Sequence, residues 1–477
     1  MQNSILKNLS YNVILQIVLM ILPLVSIPFV SRVLGNEGIG IYSFTLSLTQ
    51  YFIILGSIGL ALYGNRQIAY TRDDKELMSR TFWAILILRV LTTSIALIVY
   101  YAMFWNSSDL RFIRMIQSIH IIASMFDITW LYVGLEDFKR IVTRNLFVKL
   151  IGLVAIFTLI KSSNDVVLYT WINIAMSIGS SLVMWLYVPK IIVKTKVMFK
   201  DIQTHFKPAL HLFIPQIASQ VYVMLDKTMI GYLSTYDQVG FYTQSDRIVK
   251  AIQELIAALG TVMLPRMSYI FSKGDTEQMD SYLNQNLKAV SYVSLPMFIG
   301  LVAVAPEFVP WFFGPGYEPV IFVMQCVASV LFFISISSVL GVQYLIPANR
   351  VNEFTVSIVL GALMNLILNF TFIPKYGAMG AVVGTIVAEF SVMAAQFIVL
   401  RHKVKFKPYF NSLIKYVIAV GVMFTTIRFL TTFLNVNALT TLIQVGVGIL
   451  VYILSLVILK EEMNLKAFTI LKKVVFK

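Results

Sequence analysis

The stretch Pro23–Tyr42, PLVSIPFVSRVLGNEGIGIY, ends one apolar segment, turns, and begins the next. Arg32 is the first charge after Lys7. Gly35, Gly38 and Gly40 follow, and they offer the backbone freedom that a sharp turn needs. A related passage recurs about 200 residues later. There Gly240-Phe241-Tyr242 matches Gly40-Ile41-Tyr42, and both triplets open a new apolar run. A turn repeated at that spacing predicts a chain built from two related halves.

The composition says what kind of chain this is. Of 477 residues, 58% are hydrophobic and only 13% charged, with a mean hydropathy of +0.80. A soluble domain carries about 25% charged residues. The excess of apolar residues predicts an all-α polytopic membrane protein. The net charge of +15 sits in short breaks between apolar runs, which suits cationic loops and not a nucleic-acid surface. Cys326 is the only cysteine, so a disulfide within the chain and a cysteine-based zinc site are excluded. His120, His205, His211 and His402 show no metal-ligand spacing, and no cofactor is expected. The first apolar run lacks a small-residue cleavage site and is expected to be a retained helix.

Apolar runs predict about fourteen helices, at 10–33, 40–62, 81–104, 113–133, 146–160, 167–188, 209–233, 240–263, 289–313, 319–345, 354–373, 379–400, 413–433 and 439–459. The breaks alternate in charge. With the N-terminus inside, about 26 Lys and Arg fall on the cytoplasmic side and about 5 outside: Arg32, Arg111, Arg114, Lys161 and Lys375. An even number of helices places both termini in the cytoplasm. The outside loops are too short for a folded domain, which argues against an embedded polymerase or ligase. The longer inside breaks, about 190–207 and 264–288, read as amphipathic surface helices.

Ionisable residues at depth are costly, so each is a functional candidate. Arg89 lies in the third run, Asp127 in the fourth, and Asp226 and Lys227 in the seventh. The eighth carries Asp246, Arg247, Lys250 and Glu254; Arg247, Lys250 and Glu254 share one helical face. The bland alternative is pairing within the bundle: Lys250 reaches Asp246 or Glu254 at i,i+4. Arg428, Asp246 and Glu389 are read more readily as structural pairs. Arg32 is either a headgroup anchor or a cavity residue. In the second run, Ser43, Ser47, Thr49 and Gln50 suit either sugar binding or helix packing. Pro23 and Pro28 in the first run have counterparts in Pro208 and Pro215 of the seventh, a pattern expected of broken, moving transporter helices.

Four motifs then carry a resemblance. They are N-x-x-x-Q at Asn12–Gln16 with P-x-x-S-R-x-L-G-x-E-G-x-G-x-Y at Pro28–Tyr42; D-x-x-W-L-Y-x-G-L-E-D-F-K at Asp127–Lys139; L-D-K-T-M-I-G at Leu225–Gly231 with V-G-F-Y at Val239–Tyr242; and N-x-x-F-I-P-K-Y-G-A-M-G-A at Asn369–Ala381. In that order they resemble the polysaccharide flippases of the multidrug/oligosaccharidyl-lipid/polysaccharide exporter superfamily. The resemblance implies two six-helix lobes about a cavity, at 1–200 and 201–402, with residues 403–477 holding two extra helices and a basic tail. It also implies alternating access in a bacterial cytoplasmic membrane and no covalent chemistry. The implied substrate is a polyprenyl-pyrophosphate-linked oligosaccharide for capsule, exopolysaccharide or O-antigen assembly, with membrane lipid and a polysaccharide polymerase as partners and no nucleic acid. On that reading Arg32, Arg89, Lys227, Arg247 and Lys250 are candidates for the pyrophosphate, and Asp127, Asp226 and Glu254 for ion coupling. Two alternatives stay within the superfamily: a peptidoglycan lipid precursor flippase and a cation-coupled multidrug exporter.

Overall fold

The computed structural model describes residues 2–106, 110–260, 263–273 and 276–464. All the regular structure among these residues is helical. Close contacts divide the chain into two units, Met1–Gly231 and Tyr232–Lys477. Eleven segments among the described residues are long and apolar enough to cross a membrane, so the chain is a multi-pass membrane protein. The difference from fourteen has identifiable sources. The first two predicted runs fall on one segment, Leu24–Thr71, the eighth run does not qualify, and the middle of the seventh lies outside the described residues. The eighth is too rich in charge, with Asp246, Arg247, Lys250 and Glu254 along it.

The first unit contains α1 (Gln2–Ser57), α2 (Leu60–Thr71), α3 (Lys75–Phe104), α4 (Arg111–Gln117), α5 (Ile119–Met125), α6 (Thr129–Gly134), α7 (Phe138–Leu159), α8 (Val166–Trp185), α9 (Val188–Ile191) and α10 (Phe199–Leu233), whose last residues pass into the second unit. Fifty-six residues of helix would be about 84 Å long, far more than a bilayer core. α1 is therefore two spans, and its backbone leaves the helical region at Gly35 (φ 69°, ψ −178°). Nothing lies within 4 Å of a Cβ placed there, so the need for glycine is conformational. Gly38 does another job: a Cβ on it would meet Val166 Cγ2 at 2.9 Å. The backbone stays helical at Pro28 and Pro208, and among the described residues the break in α1 is at Gly35. The surroundings of Pro23 and Pro215, and of Asn12 and Gln16, lie outside the described residues.

The fourth predicted run is α4, α5 and α6 in series. The gap before α6 needs no proline or glycine. Asp127 accepts from Thr129 N at 3.0 Å and from the Thr129 hydroxyl, a local bond that competes with helix continuation. α7 starts eight residues earlier than the run at 146–160, because Asp137 caps it by accepting from Arg140 N at 3.4 Å.

The start of α10 is fastened to the first unit. Arg80 grips Asp201 with Nε and Nη2 at 2.9 and 2.8 Å, and Tyr63 Oη lies 2.8 Å from His205 Nδ1. Trp83 Nε1 donates to Val193 O at 3.1 Å. Beneath these bonds Ala209, Phe213, Val188 and Ile192 share a core with Leu60, Tyr63, Phe82 and Trp130.

The second unit contains α11 (Tyr236–Gly260), α12 (Met263–Ser272), α13 (Thr276–Phe313), α14 (Glu318–Val327), α15 (Val330–Leu340), a π turn at Gly341–Leu345, α16 (Val351–Tyr376), α17 (Ala378–Leu400), α18 (Lys407–Thr431) and α19 (Ala438–Ile458). The segment expected as a surface helix at 264–288 forms α12 and the first turns of α13. The Lys375–Ala381 motif has a clear local role. Gly377 turns the chain at φ 55°, and Gln238 Oε1 of α11 accepts from Ala378 N at 2.9 Å, capping α17. A Cβ on Gly380 would meet the backbone of Phe372 at 2.4 Å, so glycine there permits the close α16–α17 crossing. α18 and α19 are held to α13 at two levels. Arg428 Nη1 pairs with Glu307 Oε2 at 2.8 Å and Gln444 Nε2 donates to the same oxygen at 2.9 Å. At the other level Tyr452 Oη of α19 donates to Tyr292 O of α13 at 2.9 Å, and Tyr409 Oη of α18 lies 3.1 Å from Ser291 Oγ of α13.

Two outcomes follow from these contacts. Gly35→Ala should lower stability by about 1–2 kcal/mol through backbone strain alone, read as a lowered thermal midpoint in detergent. His205, which precedes the apolar run at 209–233, has its imidazole held below the ordinary value by burial, with Asp201 opposing. Its contribution to stability is therefore complete above the unfolded value of about 6.5 and is lost as pH falls through the lower folded value. Lowering the pH from about 7.5 to about 5.5 should reduce the midpoint of the wild type more than that of His205→Phe.

Candidate functional site

Arg89 is the central charge of the first unit. It is the fifteenth of thirty residues in α3, about 21 Å from either end, and is only 4% exposed. A guanidinium cannot shed its charge, so burial there demands partners. Nε donates to Ser124 O at 2.8 Å, and Nη2 stands 3.8 Å from Asp127 Oδ2. Nη1 is buried without a hydrogen-bond partner. Asp127 occupies the gap between α5 and α6, where its side chain is 41% exposed.

Arg144 joins the same group. It is buried in α7, and its Nη1 donates to Thr129 Oγ1 at 2.9 Å while Thr129 donates to Asp127. Its Nε and Nη2 both reach Asn145 Oδ1, at 3.1 and 2.8 Å. Two buried guanidinium groups thus lean on one carboxylate. Arg144 lies two residues before the predicted run at 146–160, among the charges expected on the cytoplasmic side. The signal that would have found it is Asp137, a helix-capping residue immediately before Phe138.

The remaining candidates of this unit are on α1 and α10. Arg32 is exposed, one turn before the Gly35 break. Asp226 is buried, and Lys227 beside it is half-buried. Near them Thr228 and Ser47 share a hydroxyl hydrogen bond of 2.9 Å, which gives Ser47 a helix-packing role.

In the second unit, α11 carries the charge. Lys250 Nζ pairs with Asp246 Oδ2 at 2.8 Å; the lysine side chain is 46% exposed and the aspartate 10%. Arg247 Nη1 donates to Gln244 Oε1 at 3.3 Å. Glu254 lies exposed one turn beyond. The i,i+4 partner chosen by Lys250 is therefore the buried acid. Arg428, read as structural, has its partner in Glu307, an acid near the end of α13 that sequence reading did not single out. The two kinds of site differ in charge balance. Arg428 and Glu307 are a closed pair and α11 matches Arg247 and Lys250 with Asp246 and Glu254, whereas the Arg89 group has two cations to one anion.

A model of the polysaccharide biosynthesis protein family matches residues 5–271. That is more than half of the chain.

The chain belongs to that family.

An Escherichia coli K12 protein assigned as an O-antigen transporter is 22% identical over 406 residues, covering 84% of this chain and 97% of that one. A Shigella dysenteriae protein with the same assignment is 26% identical over 375 residues, covering 77% and 92%. Among solved structures, the lipid II flippase MurJ in an inward closed conformation superposes with a TM-score of 0.74. It is 17% identical and covers 98% of this chain and all of that one. That likeness extends the shared fold to the whole length of this family member, including α18 and α19.

The charge balance around Arg89 is testable without a substrate. Asp127→Asn removes the only carboxylate paired with Arg89 among the described residues. It should cost about 1–2 kcal/mol, less than a fully buried pair because Asp127 is partly exposed. Thermal unfolding in detergent should show Thr129→Val shifted in the same direction by less.

Proposed function

We propose that this protein flips polyprenyl-diphosphate-linked oligosaccharide units across the bacterial cytoplasmic membrane by alternating access, with both termini in the cytoplasm. The observation that carries the reading is the surplus of positive charge in the first unit, where Arg89 and Arg144 are set against Asp127, with Arg247 and Lys250 of α11 as the further cations. A diphosphate is the matching ligand, since guanidinium and ammonium groups donate charge-assisted hydrogen bonds to phosphoryl oxygens. Membership of a polysaccharide biosynthesis family and relatives assigned as O-antigen transporters support a glycan on that diphosphate.

In this mechanism no covalent bond changes. The headgroup enters from the cytoplasmic leaflet, Arg89, Lys227, Arg247 and Lys250 hold it, with Arg32 nearer the outer surface, and the lipid tail remains in the bilayer. Asp127, Asp226 and Glu254 are the carboxylates whose neutralisation by a coupling cation would change the hold on those cations. The working division is a lobe at 1–200, a lobe at 201–402 and a helix pair with a tail at 403–477, with the tail beyond 464 outside the described residues. A polysaccharide polymerase is the partner that would consume the flipped unit.

A second reading has its own support. The fold shared with a lipid II flippase makes a peptidoglycan precursor an alternative cargo, carried on the same diphosphate. The glycan distinguishes the two. Proteoliposomes holding the full chain should flip a fluorescent diphosphate-linked oligosaccharide faster than lipid II. Arg89→Ala, Arg247→Ala and Lys250→Ala, each checked for folding, should lower the rate by about tenfold or more. Export of a cationic dye with no flipping of either lipid would move the protein to the multidrug-exporter branch.

A further inference from the structure

Sequence reading assigned Arg114 to a loop outside the membrane. The structure buries it in α4, where it is 5% exposed. Its guanidinium carbon lies 5.6 and 5.5 Å from the ring centroids of Phe44 and Phe104. Its Nε has no hydrogen-bond partner. Arg111, one turn earlier on the same helix, is exposed and sits over the Trp105 ring at 4.9 Å. Among the described residues neither arginine makes an ion pair. The two stand at i,i+3 on one face, so they repel each other, and among the described residues no acid offsets it. Ring faces compensate a buried guanidinium only in part.

Beside Arg111 is an open apolar depression of about 590 Å³ lined by Leu110, Arg111, Phe112, Ile113, Met115 and Val167. Its walls are apolar apart from the arginine. Next along the helix, Gln117 is wholly buried; its Nε2 is 3.4 Å from Thr45 Oγ1 and its Oε1 has no partner. Reversing that amide would turn an N–H toward the unpartnered side.

We propose that Arg111 and Arg114 form a lipid-phosphate site, in which the phosphate bridges the two guanidinium groups and the first part of the lipid's chain occupies the adjoining depression. The chemistry selects the class of ligand. The paired cations call for a dianionic or monoanionic phosphate, and the apolar walls call for a hydrocarbon attached to it. A free sugar supplies neither. Two lipids carry this chemistry, the polyprenyl diphosphate of the proposed function and a bulk anionic phospholipid. The first role rests on that function. The charge distribution puts the α3–α4 junction outside, and Phe104 lies about 22 Å along α3 from Arg89. A phosphate held at Arg111 and Arg114 has then left the middle of the membrane, which makes this a release station.

The test uses the full chain in proteoliposomes with a polyprenyl diphosphate bearing a photoreactive group near the start of its chain. Mass-spectrometric mapping should find label between Leu110 and Met115. The double variant Arg111→Gln with Arg114→Gln should lower that label by about tenfold or more, while Arg114→Lys retains most of it. Competition by phosphatidylglycerol at the concentration of the probe would identify bulk lipid as the resident. Competition only by unlabelled polyprenyl diphosphate would identify the transported lipid. Label confined to other segments, or unchanged in the double variant, overturns the proposal. An equal loss in Asp109→Asn also overturns it, by making these arginines partners of the loop acid. Should the double variant fail to fold, the wild-type map and the Arg114→Lys result still decide. Wild-type flipping without label at 110–115 removes this site and leaves the proposed function standing; label there without flipping does the reverse.

Discussion

An arginine keeps its charge in hydrocarbon, and much of this protein's irregular structure answers that constraint. Arg89 sits midway along α3 and requires acceptors from another helix. They come from the one place where the fourth membrane segment is broken, with Ser124 O and the Asp127 carboxylate at the gap between α5 and α6. The gap is kept open by the bond from Asp127 to Thr129, and Thr129 passes the interaction on to Arg144. A continuous helix would point its carbonyls and this carboxylate elsewhere. The break, the acid and the two arginines are one arrangement, in which the cost of the buried charge fixes the local backbone.

The contrast with α13, α18 and α19 shows what a settled charge looks like. Arg428 and Glu307 form a one-to-one pair, and Gln444 fills a further lone pair of the acid. Nothing there asks for a ligand. The pair works with the Tyr452–Tyr292 and Tyr409–Ser291 bonds to tie both levels of the helix pair to α13. The start of α10 is tied down in the same manner, by Arg80–Asp201 and Tyr63–His205 over a shared core. Charge balance, and not depth alone, sets these fastening arginines apart from the Arg89 group.

This also explains what could be read from sequence. The apolar runs were legible because bilayer thickness imposes a length on each of them. The Asn369–Ala381 motif was legible because its glycines answer backbone demands, at Gly377 and Gly380, that no other residue meets. The kink at Gly35 was assigned jointly to several glycines and prolines, because sequence does not say which one takes the positive φ. Arg114, Arg144 and Glu307 escaped for a different reason. Each lies near the end of a run, where sequence cannot tell a side chain in a loop from one turned into the unit. Lys250 shows the converse: two acids were in reach at i,i+4, and only burial selected Asp246.

Exposure within the Arg89 group gives it a direction. The guanidinium is sealed in, while the side chain of its carboxylate is 41% exposed. Asp127 is therefore the accessible ionised side chain of the group. Neutralising that acid does not release one arginine but unbalances two, because Arg144 reaches it through Thr129. The favourable response is an anion brought close, which is the chemistry of the diphosphate headgroup. On the proposed coupling role for Asp127, loading of cation and loading of substrate thus reinforce each other, and the coupling needs no wire longer than one threonine.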